Sequence, residues 1–70
     1  MRYLMFADTK RGEFYTTVDA RDDDQACTKM RTWLNNQKVP SSEIYSMAGI
    51  WEKDPKFHTA TSIRDLEEEY

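Results

Sequence analysis

The sequence predicts an α+β fold in which one long helix packs on a small antiparallel sheet. Three observations lead to this prediction: two neighbouring segments rich in aromatic and β-branched residues, one segment with helical periodicity, and a third strand-like segment after it. The predicted element order is ββαβ(β)α, with three strands, an optional fourth, and a short C-terminal helix. The 70 residues suffice for a single compact domain, 1–70, with a net stability of about 3–5 kcal/mol.

The first two strands are predicted to form a β-hairpin. Arg2 to Asp8 and Glu13 to Ala20 are the strand segments, and Gly12 in the tract between them favours a turn. Because side chains alternate along a strand, each segment divides into two faces. The residues assigned to the face that meets the helix are Phe14, Thr16, Val18 and Ala20 in the second strand, and Leu4 and Phe6 in the first. Tyr3 and Met5 are thereby assigned to the opposite face.

Asp22 to Gln37 is predicted to be an amphipathic helix. One stripe of residues repeats with a helical period and is apolar except for its last member: Ala26, Met30, Trp33, Leu34 and Gln37. Asp22 can cap the first turn, and Gln25 three residues later completes a capping box. At the other end, the pair Asn35-Asn36 can adopt the left-handed conformation that ends a helix.

Glu43 to Trp51 is predicted to be the third strand, antiparallel to the first, in a sheet of order 2-1-3. The face assigned to the helix is Ile44, Ser46, Ala48 and Ile50, with Tyr45, Met47 and Trp51 opposite. Gly49 is expected at a bulge or a close approach. Beyond it, Lys56 to Ala60 is the optional fourth strand. The terminal helix is predicted to be capped by Thr61 or Ser62 and to bury Ile63, Leu66 and Tyr70.

The second face of the predicted sheet is the first candidate binding surface. Aromatic and methionine side chains are enriched in protein interfaces, and a bare apolar patch of this kind is unusual in water. Its members are Tyr3, Met5, Tyr15, Tyr45, Met47 and Trp51. Three alternatives remain open: the terminal helix covers this face, a second copy does, or a foreign protein does. Aromatic residues of this kind also stack on the bases of single-stranded nucleic acid. Such a surface needs basic residues beside the aromatic ones to contact the phosphates, and Lys10-Arg11 is the only adjacent basic pair in the sequence.

Two acidic clusters are the second candidate binding feature. They are Asp22, Asp23 and Asp24 at the helix start, and Glu67, Glu68 and Glu69 near the C-terminus. The simpler interpretation is that the first stabilises the helix dipole and the second is a solvated tail. In the functional interpretation, these carboxylates imitate phosphates and occupy a basic groove of a nucleic-acid-binding protein.

The sequence gives little support to a catalytic, metal-binding or membrane function. One cysteine and one histidine cannot make a zinc site, and the consecutive aspartates lack the spacing of a calcium loop. Cys27 is interpreted as a small core residue and His58 as a surface strand residue, with no nucleophilic turn that would complete a triad. No cofactor is expected, and no apolar run approaches a membrane span or signal peptide, which predicts a cytoplasmic protein.

The sequence therefore favours a small, acidic, non-enzymatic binding protein that blocks a larger protein. The net charge of −3 leaves basic protein surfaces as partners and disfavours direct nucleic-acid binding. In size, acidity and plan, the chain is similar in kind to the small inhibitors that phages carry against host defence, such as anti-CRISPR proteins; the likeness concerns the class and no particular residue. The alternative is a homodimeric structural or regulatory subunit, and the third hypothesis is a single-stranded nucleic-acid-binding module.

Overall fold

Three antiparallel strands and one helix make up the computed structural model, which describes residues 1–61 and 63. The elements are β1 (Arg2–Thr9), β2 (Gly12–Asp19), α1 (Asp23–Asn36) and β3 (Ile44–Trp51), with 3-10 turns at Ser41–Glu43 and Pro55–His58. The strand order is β2-β1-β3, and both pairings are antiparallel. The predicted α+β class, the sheet order and the antiparallel third strand are all confirmed.

A two-residue loop closes the β1–β2 hairpin. Thr9 pairs with Gly12 across the turn, and Gly12 has φ 115°, a backbone conformation that favours glycine. The Thr9 hydroxyl donates to the Gly12 carbonyl at 2.8 Å and accepts from the Arg11 N–H at 3.1 Å. The predicted hairpin is therefore present, and its turn is held by the side chain of Thr9 as well as by the backbone.

The start of α1 is capped by Asp22, as predicted. The Asp22 carboxylate accepts a hydrogen bond from the Gln25 N–H at 2.8 Å. The Gln25 amide oxygen reaches back one residue further than in a standard capping box and accepts from the Arg21 N–H at 2.8 Å. Two N–H groups at the helix entrance are thereby satisfied by side chains.

The end of α1 differs from the prediction that Asn35-Asn36 would turn the chain. The left-handed residue is Lys38, with φ 66°. The Lys38 N–H donates to the Asn35 carbonyl at 3.0 Å and the Val39 N–H to the Leu34 carbonyl at 2.9 Å, which is the Schellman pattern. Val39 is fully buried in the core cluster, so its packing fixes where the helix stops.

Replacing Lys38 with glycine should stabilise the protein by about 1 kcal/mol, because a non-glycine residue pays that order of strain in the left-handed region. The measurement is the free energy of unfolding by urea. Asn36→Gly is the matched control: Asn36 is the last residue of α1, so glycine there should destabilise by up to about 1 kcal/mol. Loss of stability in Lys38→Gly would contradict the assigned helix end.

The main core lies between α1 and one face of the sheet. Met30 and Leu34 are fully buried, and Trp33 packs edge-on against Phe14, with ring centroids 6.3 Å apart. Phe14 and Val18 pack against this cluster and Ala20 belongs to it, which bears out the predicted inner face of the second strand at these positions. The helix-on-sheet arrangement is the one that the apolar stripe predicted.

The faces predicted for β1 are wrong. Tyr3 and Met5 belong to the helix-side core, where they lie directly opposite Val18 and Thr16 of β2. Leu4 and Phe6 therefore point to the other side, and Phe6 is 1% exposed there. β1 is the central strand and is apolar on both faces, so alternation along its own sequence does not reveal which face meets the helix.

The faces predicted for β3 are also mostly wrong. Met47 and Gly49 lie opposite Ala7 and Met5 of β1 and share the helix side, as does Trp51 opposite Tyr3. Ser46, Ala48 and Ile50 consequently lie on the far side. The register shifts at Asp8/Thr9 of β1, where Tyr45 has no directly opposite partner, and this bulge returns Ile44 to the helix side.

Gly49 marks the close approach that the sequence predicted. A Cβ atom at this position would meet the sulfur of Met5. The Met5 side chain, which is 1% exposed, thus fills the space that a side chain at position 49 would need. This contact explains why the helix-side face of β3 carries a glycine.

The segment after β3 covers the far face of the sheet instead of forming the predicted fourth strand. Pro55 begins the 3-10 turn Pro55–His58, and the Asp54 carboxylate accepts from the Lys56 N–H at 2.9 Å. The Arg2 guanidinium lies 5.6 Å from the centre of the Phe57 ring. Ile63 is helical, buried, and donates its N–H to Glu13 at 3.4 Å. Ser62, Leu66 and Tyr70 of the predicted terminal helix lie outside the described residues.

Candidate functional site

The six residues predicted to gather on one open face are divided among several environments. Tyr3, Met5 and Met47 pack on the helix side. Tyr15 lies on the far face, with its ring centroid 6.0 Å from that of Phe6, while Tyr45 sits at the bulge and Trp51 at the other end of β3. The predicted open patch is therefore wrong, because its helix-side members Tyr3, Met5 and Met47 are packed against the core, while Tyr15 lies on the far face and Tyr45 at the bulge. Tyr15, Tyr45 and Trp51 remain exposed at 66%, 66% and 43%.

A half-open cleft of about 180 Å³, whose lining is somewhat more apolar than polar, lies between the first turns of α1 and the sheet. We call it the Tyr3 cleft. It is lined by Tyr3, Met5, Asp23, Ala26, Cys27, Met47, Ala48 and Gly49. The glycine and the small residues of α1 leave the space, and the thioether side chains supply a floor that adapts in shape. The cleft is wide enough for one long side chain from a partner.

A shallow acidic groove adjoins the Tyr3 cleft. It is lined by Arg21, the three consecutive aspartates Asp22 to Asp24, and Tyr3. Tyr3 and Asp23 belong to both depressions, so the Tyr3 cleft has carboxylates at its mouth. The structure thus brings together two groups of predicted site residues, part of the aromatic set and the first acidic cluster.

Among the residues that the structure describes, the charges of the acidic groove are only partly neutralised. The Arg21 Nε atom lies 3.6 Å from an Asp22 carboxylate oxygen, with both side chains exposed. Across residues 1–61 and 63, no lysine or arginine forms an ion pair with Asp23 or Asp24. The groove therefore keeps a negative potential beside the Tyr3 cleft.

The negative potential of the groove also affects the pKa of the Tyr3 hydroxyl group. Burial raises the pKa of the Tyr3 phenol, and the neighbouring Asp23 carboxylate, which attracts the hydroxyl proton, raises the pKa further together with the charge of Asp22. The phenol accordingly stays neutral and can donate a hydrogen bond at the mouth of the cleft. Its ring forms part of the apolar wall.

The remaining candidate residues carry no comparable arrangement. Cys27 borders the cleft and is half-buried against the core. His58 is exposed, as predicted, but lies in a 3-10 turn, where its ring packs edge-on against Phe57 at 5.1 Å. No group of His, Cys, Asp and Glu side chains in the described part of the chain is arranged to hold a metal ion. Glu67, Glu68 and Glu69 lie outside the described residues.

None of the helices in residues 1–61 and 63 is both long and apolar enough to span a membrane.

The cleft itself was missed by sequence reasoning, which treated the aromatic residues and the aspartates as separate sites. Only the pairing of Tyr3 with Trp51 and of Met5 with Gly49 brings β1 and β3 together beneath the start of α1. No local sequence pattern encodes that pairing.

No protein-family model, no curated protein and no solved structure matches this chain.

Proposed function

We propose that this chain is a small, non-enzymatic binding protein that attaches to a basic surface of a larger protein and blocks it. The observation that carries the proposal is the continuity of the Tyr3 cleft with the acidic groove at Tyr3 and Asp23. Both features are needed, because an acidic helix start alone is explained by the helix dipole. A partly apolar cleft behind the acids requires a different explanation.

A lysine or arginine side chain of the partner has the chemistry that fits this site. The side chain would lie along the two connected depressions, with its aliphatic stem in the cleft against Met47 and the Tyr3 ring. Its charged head would lie in the groove beside Asp22 and Asp23. Such side chains gain from burying the stem while the head keeps charged or polar partners. The oxygen of the neutral Tyr3 hydroxyl can accept a hydrogen bond from the incoming cation.

The net charge of the chain supports the proposal that it blocks its partner. A chain with a net charge of −3 is attracted to a basic groove, and this attraction raises the association rate. Surfaces that bind nucleic acid are the best-known protein surfaces of this sign. The likeness in kind to phage inhibitors of host defence agrees with this mode of action, and it stands as an analogy of class.

The positions of the aromatic side chains do not support the alternative that the protein binds single-stranded nucleic acid. It required aromatic side chains that share one open face of the sheet. Tyr3 is packed beneath the helix, and Tyr15 and Trp51 lie on opposite faces. A protein partner therefore agrees better with the positions of these residues.

The experiment compares two variants that lose the same charge. Asp22→Asn with Asp23→Asn removes two carboxylates from the cleft mouth, and asparagine at position 22 retains the helix cap. A partner captured from the cells that make the protein is immobilised, and association rates are measured by surface plasmon resonance at increasing salt. We expect this variant to associate roughly tenfold more slowly or worse at low salt.

The matched control is Asp8→Asn with Glu52→Gln. Asp8 lies on the far face of β1, and Glu52 follows β3; neither lines the cleft or the groove. The control should keep most of the wild-type association rate, and both variants should melt near the wild-type temperature. Equal slowing of the two variants would reject the cleft as the docking site and leave only a general charge effect.

A further inference from the structure

We propose that the partner docks an extended segment of its chain along the outer edge of β3 and places a lysine or arginine of that segment in the Tyr3 cleft. This docking mode rests on the proposed function, since it requires a basic partner, and adds the backbone conformation in which the partner presents its charge. Three features carry it: the open backbone of β3, the place of that edge in the cleft wall, and the gap that Gly49 leaves between larger side chains.

The outer edge of β3 has unpaired backbone groups. The Glu52 N–H donates to the Arg2 carbonyl at 3.0 Å, and hydrogen-bonded pairs recur at every second residue of an antiparallel ladder. Every second residue of β3 counted back from Glu52 therefore bonds to β1. The residues between them, among them Met47 and Gly49, direct their N–H and C=O groups away from β1. Within residues 1–61 and 63, no hydrogen bond reaches the N–H groups of these two residues.

The open stretch of the edge lies between the bulge and the turn that follows β3. The bulge at Tyr45 comes before Met47, so the alternation from Met47 to Trp51 is regular. At the other end, the Trp51 carbonyl accepts from the Asp54 N–H at 2.9 Å. Gly49, at the centre of the stretch, is exposed, and because glycine has no side chain, it is the backbone that is exposed. An added strand can therefore pair with β3 over these residues.

This open edge is also one wall of the Tyr3 cleft. Met47, Ala48 and Gly49 line the cleft together with Asp23 and Ala26 of α1. Side chains of an added strand alternate between the two faces of the sheet, and those on the helix side point toward the cleft. One extended segment can therefore pair with the edge through its backbone and fill the cleft with a side chain.

Gly49 determines which position of the added strand faces the cleft. Met47 and Trp51 lie two residues to either side of Gly49 on the same face of β3, and both carry large side chains. The residue of the added strand opposite Gly49 has no side chain of β3 beside it. Its own side chain would meet the sulfur of Met5, which covers Gly49 from the helix side, and would continue into the cleft.

Charge determines the chemistry of that residue. The acidic groove joins the cleft at Tyr3 and Asp23, and β3 contains no charged residue that would repel a cation. The edge also lacks the charges and prolines that usually protect exposed strands. A lysine or arginine opposite Gly49 can place its stem in the cleft and its head in the groove. An acidic residue at the same position would meet the aspartates of the groove.

The test titrates the wild-type chain with a short peptide. The probe is acetyl-Thr-Val-Thr-Lys-Thr-Val-Thr-amide, whose lysine and two valines share one face when the peptide is extended. In the antiparallel direction, the more stable one per residue, the lysine opposite Gly49 exchanges two hydrogen bonds with it. We expect saturating peptide to slow amide hydrogen exchange at Met47 and Gly49 by roughly tenfold or more.

Three matched peptides separate backbone pairing from charge. The first is N-methylated at the lysine, whose N–H faces Gly49. The second is N-methylated at the following threonine, whose N–H points away from β3. The third carries glutamate in place of lysine. We expect the second to bind like the probe, and the first and third to bind roughly tenfold more weakly or worse.

Each contrary result identifies what is wrong. Equal binding of the two N-methylated peptides would reject strand pairing and leave the proposed function in place. Equal binding of the glutamate peptide would reject the recognition of a cation, and with it the proposed function. Failure of the probe to bind at millimolar concentration would overturn the docking mode. So would slow exchange at Met47 and Gly49 that appears without peptide as the protein is concentrated, because a second copy would then occupy the edge.

Discussion

Replacing Phe6 with alanine should leave most molecules unfolded. Phe6 is 1% exposed on the far face of the sheet, and truncating a buried phenylalanine costs about 3–5 kcal/mol. A domain of this size has a total stability of about the same amount, 3–5 kcal/mol. Circular dichroism with urea titration measures the loss directly.

Tyr15→Ala is the control for this prediction. Tyr15 packs against Phe6, with ring centroids 6.0 Å apart, but is 66% exposed. Its removal should cost only about 1 kcal/mol, the order of one aromatic pair. Should Phe6→Ala melt like the control, the far face would not be a second core, and the covering role assigned to residues 55–61 and Ile63 would be wrong.

Leu34→Ala is expected to destabilise the protein by about 2–5 kcal/mol. Leu34 is fully buried between α1 and the sheet, and its carbonyl also receives the Val39 N–H at the helix end. The cavity left by truncation can close little, since Met30 and Val39 beside it are themselves fully buried. Thermal and urea unfolding measure the change.

Asn35→Ala tests whether that loss comes from the side chain. Asn35 is the next residue of α1 and is exposed, so its truncation should change the stability by no more than about 0.5 kcal/mol. The Leu34 variant should also unfold at a lower urea concentration without a change in slope. Comparable effects at the two positions would show that the helix packs through a different stripe.

The helix, the hairpin and the sheet order could be predicted because each depends on neighbouring residues. Capping by Asp22 and the apolar spacing of Met30 and Leu34 lie within a few turns of one helix. Gly12 and the segments beside it identify the turn in the same way. Once the hairpin precedes the helix, few arrangements of the third strand remain.

The strand faces could not be predicted because they depend on distant partners. β1 carries large apolar residues at both odd and even positions, such as Met5 and Phe6, so its own pattern fits either orientation. In β3 the bulge at Tyr45 changes the phase of the alternation. Position 49 faces the helix side and carries a glycine because the Met5 side chain fills the space that a Cβ atom would need, a relation between residues far apart in the sequence. The cleft depends on the same relation.

The position of β1 in the middle of the sheet bears on how the chain folds as it leaves the ribosome. β1 is synthesised well before one of its two neighbours, β3, and before the segment that covers Phe6. Until then β1 has an unpaired edge, and both of its apolar faces are incompletely covered. Sheets with such distant pairings fold slowly, and exposed edges of this kind aggregate. A nascent chain that stalls before Trp51 would therefore be a substrate for chaperones and proteases.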